Sequence, residues 1–373
     1  MKINDFKLEQ FFNKYEFNSP YLLCCSDCES MSIGDLLALE PGAGENFLKS
    51  WLGYSESPGD PELLLEIAQT YKNIGAEGVL EFVGAEEAIF NFMNNALTKG
   101  DHMITMFPAY QSVYEICRSI GCAVSHWELV QDKGGWKVDV DDLARLIQAN
   151  TKVIAVNSPN NPTGFVLSLA QVNAIVDLAR EQGIMIFSDE VYSGLELSAK
   201  QPVSFADKYE NAFALNVFSK AYGLAGLRIG WIASQNKGFL GQMLNLKYYT
   251  SICSPVPSQK LALIAIKHKE EIFAKNRRII LDNLDFSDKF FAKHRALFQY
   301  NRPAAGPIAF HKLKSDIPVA GFCDDLVQSK GVLLAPGSLF DKEGNYFRMG
   351  YGRKNFKEAL DMLDEYVSSC IFL

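Results

Sequence analysis

The hydrophobic and polar positions of the chain alternate between two periods from about residue 78 onward. Short apolar runs of strand length are separated by segments whose apolar residues recur at helical spacing. The runs predict seven strands, at Val79–Val83, His102–Phe107, Ala123–Trp127, Val153–Asn157, Ile184–Asp189, Ala212–Phe218 and Trp231–Ala233. The segments between them predict helices at Ala85–Ala96, Val113–Ile120, Val140–Ala149 and Ser168–Gln182.

This alternation of strands and helices predicts an α/β fold, in which a mostly parallel sheet of seven strands is covered by helices on both faces. The run Ile184–Phe187 is almost wholly apolar, as expected for a strand buried on both faces. The sequence Ser254-Pro255-Val256-Pro257 ends the pattern, and helix-rich sequence follows it. We therefore predict a large α/β domain at residues 44–256 and a smaller α+β domain formed by residues 1–43 and 257–373.

Composition and charge narrow the class of protein. The 373 residues are enough for two domains, and 48% of them are hydrophobic while 21% are charged. The net charge of −8 argues against nucleic acid as a partner, because there is no basic surplus to displace phosphate counterions. No apolar run reaches the roughly 18 residues of a membrane span, and no signal peptide is recognisable at the N-terminus. These features predict a cytoplasmic protein without a membrane partner.

Three of the eight cysteines lie close together, at Cys24, Cys25 and Cys28. The Cys25-x-x-Cys28 spacing is compatible with metal binding or thiol redox chemistry. No second pair of this kind follows, and the five histidines are dispersed. Structural free thiols are the favoured interpretation, and no metal site is predicted.

A lysine follows one of the predicted buried strands, in Ser219-Lys220 after Ala212–Phe218. Burial of an ammonium group is costly unless the group has a partner or reacts. A desolvated lysine has a lowered pKa, so its amine is free to attack an aldehyde. Arg228, at the end of a glycine-spaced segment, would then hold an anion close to that aldehyde.

Other predicted strand ends also carry polar groups, and in open α/β sheets ligands bind at the carboxyl ends of the strands. Asp189 ends a buried strand and needs a cationic partner such as a ligand's pyridinium, although a helix N-cap is the alternative. The turn after Asn157 contains two X-Pro steps that would fix the amide of Asn161. Arg348 could bind a carboxylate through two hydrogen bonds, the alternative being an ordinary surface arginine.

The segment Val83-Gly84-Ala85-Glu86 leads from a predicted strand into a predicted helix. Small residues there let backbone N–H groups approach an anion, and the helix dipole favours a phosphate. A plain strand–helix turn explains this segment equally well.

Taken together, these segments resemble the fold-type I enzymes that depend on pyridoxal 5′-phosphate (PLP), and specifically the class I and II aminotransferases. The resemblance extends from about Tyr54 to Arg348, with the motifs in the family's order and spacing. The wording of Gly84–Glu87 and of Phe218–Arg228 is nearest to the histidinol-phosphate aminotransferase branch.

The resemblance implies a role for each residue that would surround the cofactor ring. Lys220 would bond to the cofactor's aldehyde, and Asp189 would keep the pyridine nitrogen protonated so that the ring accepts electrons. Tyr192 and Asn161 would hydrogen-bond the phenolate oxygen. Tyr110 would stack on the ring. Lys220, Asp189 and Tyr192 are the implied catalytic residues.

The resemblance also implies how phosphate and substrate would be held. The implied phosphate site consists of Gly84, Ala85, Glu86, Ser219 and Arg228. Arg348 would bind the substrate's α-carboxylate, with Asn161 beside it. Tyr54 would reach the phosphate of a neighbouring subunit, which implies a homodimer.

Two positions depart from the family's pattern. Val217 stands where many relatives have a serine or threonine that bonds the phosphate. Glu86 replaces a more usual hydroxyl residue, and its carboxylate would repel a phosphate. Its side chain is therefore predicted to point away, so that only its backbone N–H contributes.

The predicted function is transfer of an amino group between an amino acid and a 2-oxo acid. A C–S lyase or an amino-acid cyclase of the capreomycidine-synthase kind is the alternative, because the early steps are shared. A non-enzymatic role is disfavoured, since Lys220 and Asp189 are both present. For the substrate's side chain the sequence offers Tyr15, Tyr248 and Tyr249, although packing in the core is the favoured role for each.

Overall fold

The computed structural model describes residues 2–132, 135–198 and 203–369. Within these residues the chain forms thirteen strands and fourteen α-helices. The strands are β1 (Val79–Phe82), β2 (His102–Phe107), β3 (Ala123–Glu128), β4 (Val130–Asp132), β5 (Gly135–Lys137), β6 (Thr151–Asn157), β7 (Met185–Asp189), β8 (Ala212–Val217), β9 (Gly230–Ala233), β10 (Phe298–Gln299), β11 (Ile308–Leu313), β12 (Ala335–Pro336) and β13 (Tyr346–Gly350). The helices are α1 (Lys7–Tyr15), α2 (Ile33–Leu37), α3 (Ala43–Leu48), α4 (Pro61–Ala68), α5 (Ala85–Ala96), α6 (Gln111–Ile120), α7 (Val140–Leu146), α8 (Leu169–Gln182), α9 (Phe205–Lys208), α10 (Lys237–Lys247), α11 (Val256–Lys267), α12 (Lys269–Lys293), α13 (Val319–Lys330) and α14 (Phe356–Ser369).

The larger sheet has seven strands in the order β1-β9-β8-β7-β6-β2-β3. Only β9 runs against the others, since it pairs antiparallel with both β1 and β8. All seven predicted strands are present, with ends that differ from the prediction by one or two residues. The predicted α/β fold class is confirmed.

Helices cover both faces of this sheet. Along β2 the side chains alternate, so that Met103 joins a core cluster with residues of α5 and α6 while Ile104 joins a second cluster with residues of α7 and α8. Both faces are apolar because both are buried, which explains why the strands are continuous hydrophobic runs.

A second, antiparallel sheet follows in the order β10-β11-β13-β12. Helices α12, α13 and α14 pack beside it through a cluster that includes Leu284, Phe322 and Leu363. Arg348 lies in β13, opposite Phe310 of β11 and Ala335 of β12. The domain boundaries at 44–256 remain a prediction. No helix in the described ranges is long and apolar enough to cross a membrane.

Residues 21–29, which we call the strap, cross from the second sheet to the end of β8. Gly350 donates its N–H to the Leu23 carbonyl, and Glu29 donates to the Gly352 carbonyl, both at 2.8 Å. The approach is so close that a Cβ atom on Gly350 would lie 2.0 Å from the Cys25 carbonyl oxygen. The strap thereby places N-terminal residues beside Lys220.

Candidate active site

The predicted site residues converge at the carboxyl edge of the larger sheet. Asn157 at the end of β6 pairs with Asp189 at the end of β7, and Asp189 pairs with Leu215 near the end of β8. Parallel strands end on the same edge, so the residues that follow them meet there. A cavity of about 420 Å³ opens at this edge. Its lining includes Ala85, Glu86, Tyr110, Asn161, Asp189, Tyr192, Ser219, Lys220 and Arg228.

Asp189 is a buried carboxyl group at the floor of this cavity. Its Oδ1 accepts a hydrogen bond from the Val191 N–H at 3.2 Å, but the residues that follow form a turn and not a helix. Burial raises the pKa of Asp189 to about 7, while the Lys220 ammonium and the Val191 N–H act to lower it. A cationic N–H group from a ligand would offset the cost of keeping this carboxylate charged.

Lys220 reaches the same cavity from the turn after β8. Its Nζ donates a hydrogen bond to the Ser26 hydroxyl at 3.0 Å, and its carbonyl accepts from the Cys28 N–H at 3.4 Å. Both partners belong to the strap. The amine is therefore held in position by a segment far away in the sequence, and Ser26 is a site residue that the sequence analysis missed.

Arg348 is fully buried, so the alternative of a surface arginine is wrong. Its Nε donates to the Cys24 carbonyl at 3.0 Å, and its Nη1 donates to the Asn161 Oδ1 at 3.1 Å. Its Nη2 is buried and has no hydrogen-bond partner among the described residues. A buried guanidinium with a free N–H group needs an acceptor, and a carboxylate is the strongest one available.

A chain of hydrogen bonds connects this arginine to Asp189. The Asn157 amide donates to the Asp189 carbonyl at 2.9 Å, and its oxygen accepts from the Asn161 N–H at 2.6 Å. Asn161 in turn binds Arg348 through its side-chain oxygen. Its NH₂ group is thus left to face the cavity as a donor.

Tyr192 brings a second unsatisfied donor to the cavity. Its hydroxyl is buried and makes no hydrogen bond within the described residues. Burial raises the pKa of Tyr192, although the positive charges of Lys220 and Arg348 act in the opposite direction. The hydroxyl is therefore protonated and free to donate to a ligand oxygen.

The N-terminus of α5 lies beside Arg228. Gly84 has a φ of +82°, and a Cβ atom there would lie 2.4 Å from the Arg228 Nη2. The positive φ favours glycine at this position, and the absence of a side chain leaves room for the guanidinium. The positive end of the α5 dipole and the arginine charge act together here, which makes an anion site.

Glu86 and Tyr110 contact neighbouring helices as well as lining the cavity. The Ser112 hydroxyl of α6 donates to the Glu86 carboxylate at 2.6 Å, and burial raises the pKa of Glu86. The Tyr110 hydroxyl donates to the Glu9 carboxylate of α1 at 2.8 Å. Helix α1 therefore covers the side of the cavity opposite the strand ends.

The sequence matches the family described as aminotransferase class I and II over residues 43–363. The chain belongs to this family. The enzyme class predicted from the sequence, a PLP-dependent aminotransferase, is thereby confirmed, and PLP dependence is a property of the family.

Named relatives and one solved structure agree with this assignment. The enzyme is 25% identical to an aspartate aminotransferase of Sulfurisphaera tokodaii, over 87% of this chain and 86% of that one. It is 22% identical to the capreomycidine synthase of Streptomyces vinaceus, over 96% and 92% of the two chains. A PLP-dependent aminotransferase from Streptococcus suis superposes with a TM-score of 0.92 at 32% identity, covering 99% of this chain and 98% of that one. The relatives include histidinol-phosphate aminotransferases, the branch that the motif wording indicates.

The aromatic residues proposed for the substrate's side chain do not line the cavity of the enzyme. Tyr15 packs against Phe11 and donates its hydroxyl to Asp324 at 2.9 Å. Tyr249 is 84% exposed and Tyr248 is 49% exposed, so the expectation of core packing is wrong for both within a single chain. Tyr54 is also exposed, at 83%.

The residues that do face the cavity from the N-terminal segment were missed. They are Phe6, Leu8, Glu9, Phe12, Glu16, Cys25, Ser26 and Asp27. A signal was present for three of them, because Glu9, Phe12 and Glu16 follow helical spacing and so share one face of α1. The nearby thiols of Cys24, Cys25 and Cys28 are free and buried. Within the described ranges no group of three or more metal-ligating side chains could hold a metal, and Cys370 lies outside those ranges.

Proposed function

We propose that the enzyme binds PLP in this cavity and transfers an amino group between an amino acid and a 2-oxo acid. The observation that carries the proposal is the meeting of Lys220 and the buried Asp189 in one cavity, with an unpartnered donor on Tyr192 in its lining and another on Arg348, which is hydrogen-bonded to the lining residue Asn161. A reactive amine, a carboxylate for a ring cation and free donors for two oxyanions are the groups that this reaction needs.

The residues present fit the cofactor. Asp189 would bind the protonated ring nitrogen, and such a cation would oppose the effect of burial, which raises the pKa of Asp189 to about 7. Tyr192 and Asn161 would donate to the phenolate oxygen, and Tyr110 would lie against the ring. The phosphate would be held by Gly84, Ala85, Glu86, Ser219 and Arg228, with Glu86 contributing its backbone N–H. Val217 offers no hydroxyl to that phosphate.

PLP, when bound, supplies an aldehyde for the substrate's amine and a ring that accepts electrons from the Cα atom. Lys220 would remove the Cα proton through its Nζ and hold it until it is returned. Ser26, 3.0 Å from that Nζ, would keep the amine directed into the cavity. Arg348 would bind the α-carboxylate through its free Nη2, which fixes the Cα proton relative to Lys220.

We also propose that the enzyme is a homodimer with the large and small domains divided at residues 44–256. Exposed apolar side chains support an interface, namely Leu48, Trp51, Leu52, Tyr54 and Tyr249. In that arrangement Tyr54 would reach the phosphate bound by the neighbouring subunit. A cytoplasmic location stays a prediction.

The lyase and cyclase reactions remain the second candidate function. The match to a capreomycidine synthase over 96% of this chain favours the cyclase among them. Proton removal by Lys220 is common to these reactions, so the residues at the strand ends support both.

Single-turnover absorbance spectra of the holoenzyme separate the two functions. We expect an amino donor to convert the cofactor to its pyridoxamine form with release of one equivalent of 2-oxo acid. Formation of pyruvate or of a cyclic product, with no pyridoxamine form, would instead establish the lyase or cyclase function. A cofactor-free protein that fails to take up PLP would refute both.

A further inference from the structure

Helix α1 and the turn after it give the cavity an acidic side. Glu9, Phe12 and Glu16 all line the cavity from one face of this segment. Their spacing of three and four residues places them in a row along the helix, since side chains three or four apart share a face. Asp27 of the strap lines the same cavity.

These carboxylates are not equally partnered. Asp27 accepts two hydrogen bonds from the Arg353 guanidinium, at 2.9 and 3.0 Å. Glu9 accepts only from the neutral Tyr110 hydroxyl and forms no ion pair among the described residues. Glu16 has neither a hydrogen bond to its carboxylate nor an ion pair in the described part of the chain. Glu9 of α1, which is exposed, and the half-buried Glu16 just after this helix therefore line the cavity without an ion-pair partner in the described residues.

The surroundings of Glu16 disfavour the charged form of its carboxyl group. Burial raises the pKa of Glu16, and the negative charges of Asp27 and Glu9 add to the increase. Arg353 and Lys220 oppose it. Under the proposed function Lys220 is committed to the cofactor, which leaves the carboxylates with less compensation.

The free donor of Arg348 lies next to this part of the cavity, since Arg348 is hydrogen-bonded to the lining residue Asn161. The guanidinium is fully buried, its Nη2 is unpartnered, and it lies 5.8 Å from the centroid of the Phe12 ring. Glu9 and Glu16 stand on either side of Phe12 along the helix, about 4.5 and 6 Å away in axial rise. A substrate whose α-carboxylate is bound by Arg348 beside Phe12 would therefore have Glu9 and Glu16 close to its side chain.

Resting on the proposed function, we propose that the amino donor carries a cationic side chain, a terminal ammonium or guanidinium, which binds the carboxylates of Glu16 and Glu9. Such a ligand supplies the charge that these two groups lack. A donor with an acidic side chain would be repelled by both of them, because like charges at close range in a partly buried site destabilise each other.

Matched pairs of donors test the charge and leave the size unchanged. With the holoenzyme, we expect kcat/KM for L-arginine to exceed that for L-citrulline, and that for L-lysine to exceed that for L-norleucine, by at least about tenfold. L-Aspartate and L-glutamate should be poorer than L-norleucine. A preference for the acidic or the neutral member of these pairs would overturn the proposal.

Glu16→Gln removes the charge with almost no change in shape. We expect it to lower kcat/KM for L-arginine and L-lysine by about tenfold or more while leaving L-citrulline and L-norleucine within about twofold. Glu45→Gln, an exposed position of α3, is the control and should change none of these values. An equal loss for cationic and neutral donors would show that Glu16 is structural, and this outcome would overturn its assignment to the substrate.

Failure of the proposed function is recognisable separately. If no amino acid converts the cofactor, calorimetric binding of L-arginine against L-citrulline to wild-type and Glu16→Gln enzyme still decides the substrate class. Tighter binding of L-arginine that depends on Glu16 supports the proposal, and equal binding of the pair overturns it.

Discussion

Two regions of the cavity, which we call the floor and the roof, are held by different kinds of contact. The floor consists of Asn161, Asp189, Tyr192 and Lys220, which follow strand ends of the larger sheet, together with Arg348 of β13, and its hydrogen bonds are mostly buried. The roof, residues 6–16, consists of α1 and one residue on either side of it, and side chains near the surface tie it to its neighbours. Under the proposed function, every amino donor would need the groups of the floor, whereas the roof would meet the part of the substrate that differs between donors.

The two regions also differ in how firmly they are held. Removing a partner from the floor leaves a buried polar atom unsatisfied, which is costly. The roof depends on contacts such as that of Lys7 with Asp341 and that of Glu9 with Tyr110, and contacts of this exposed kind contribute little each. Changes in the floor should therefore affect all substrates, and changes in the roof should affect the choice among them.

The largest effect is expected from Lys220→Ala. Loss of the group that moves the Cα proton should lower turnover by about 10³-fold or more and abolish the visible absorbance of the bound cofactor. Steady-state rates and spectra measure this. Lys152→Ala, an exposed lysine of β6, is the matched control. Turnover near the wild-type rate would place the chemistry elsewhere in the floor.

The second-largest effect is expected on the pH dependence of the stability of the cofactor-free enzyme. The pKa of Asp189 is raised from 3.8 to about 7 in the folded state, so the folded protein holds a proton that the unfolded chain releases between these values. Protonated Asp189 therefore contributes fully to the free energy of unfolding below pH 4. As the pH rises to 7 this contribution is lost, which lowers the free energy of unfolding by at most about 4 kcal/mol. Asp189→Asn should remove that loss in urea unfolding measured across this range. Glu190, whose pKa burial also raises to about 7, should retain its own contribution in the variant.

Binding of PLP should also reduce the dependence on Asp189, because the ring cation then compensates the carboxylate. If the unfolding curves of wild-type and Asp189→Asn protein shift equally with pH, Asp189 is not a buried carboxylate that needs a cation.

Arg348→Lys is expected to lower kcat/KM by about 100-fold, mainly through KM, because an ammonium cannot replace a guanidinium that bonds to the Cys24 carbonyl and Asn161 and would bind the substrate's carboxylate as well. The loss should be similar for L-arginine and L-norleucine, in contrast to the selective loss expected of Glu16→Gln. A decrease in kcat/KM for only one class of donor would show that Arg348, a floor residue, also selects among donors, and would contradict the difference between floor and roof.

The smallest effect is expected from Lys7→Ala, which removes the contact of α1 with Asp341. The free energy of unfolding should change by less than about 1 kcal/mol, since the pair is exposed. Amide hydrogen exchange of residues 4–16 should nevertheless become faster, while exchange in β6 and β7 stays unchanged. Faster exchange throughout the larger sheet would show that the roof supports the floor.

The larger sheet and the floor could be predicted from the sequence because their signals are local. A buried parallel strand is a continuous apolar run, and a polar residue directly after it, such as Asp189 or Asn161, marks the edge where ligands bind. The roof could not be predicted in this way, because its position depends on contacts of α1 with residues about 100 and 330 positions later, such as Tyr110 and Asp341. The exposure of Tyr249 could not be predicted either, because the sequence around a single aromatic residue does not indicate whether that residue packs in the core or lies at the surface.

The position of the strap depends on residues that come more than 300 positions later in the sequence. The Cys24 carbonyl that holds Arg348 is separated from it by 324 positions, and Leu23 bonds to Gly350. A ribosome makes the strap more than 300 positions before β13, so the strap waits for these binding partners during synthesis. A nascent chain stalled before residue 340 would lack the β13 residues that hold the strap, and with it Ser26, beside the Lys220 amine.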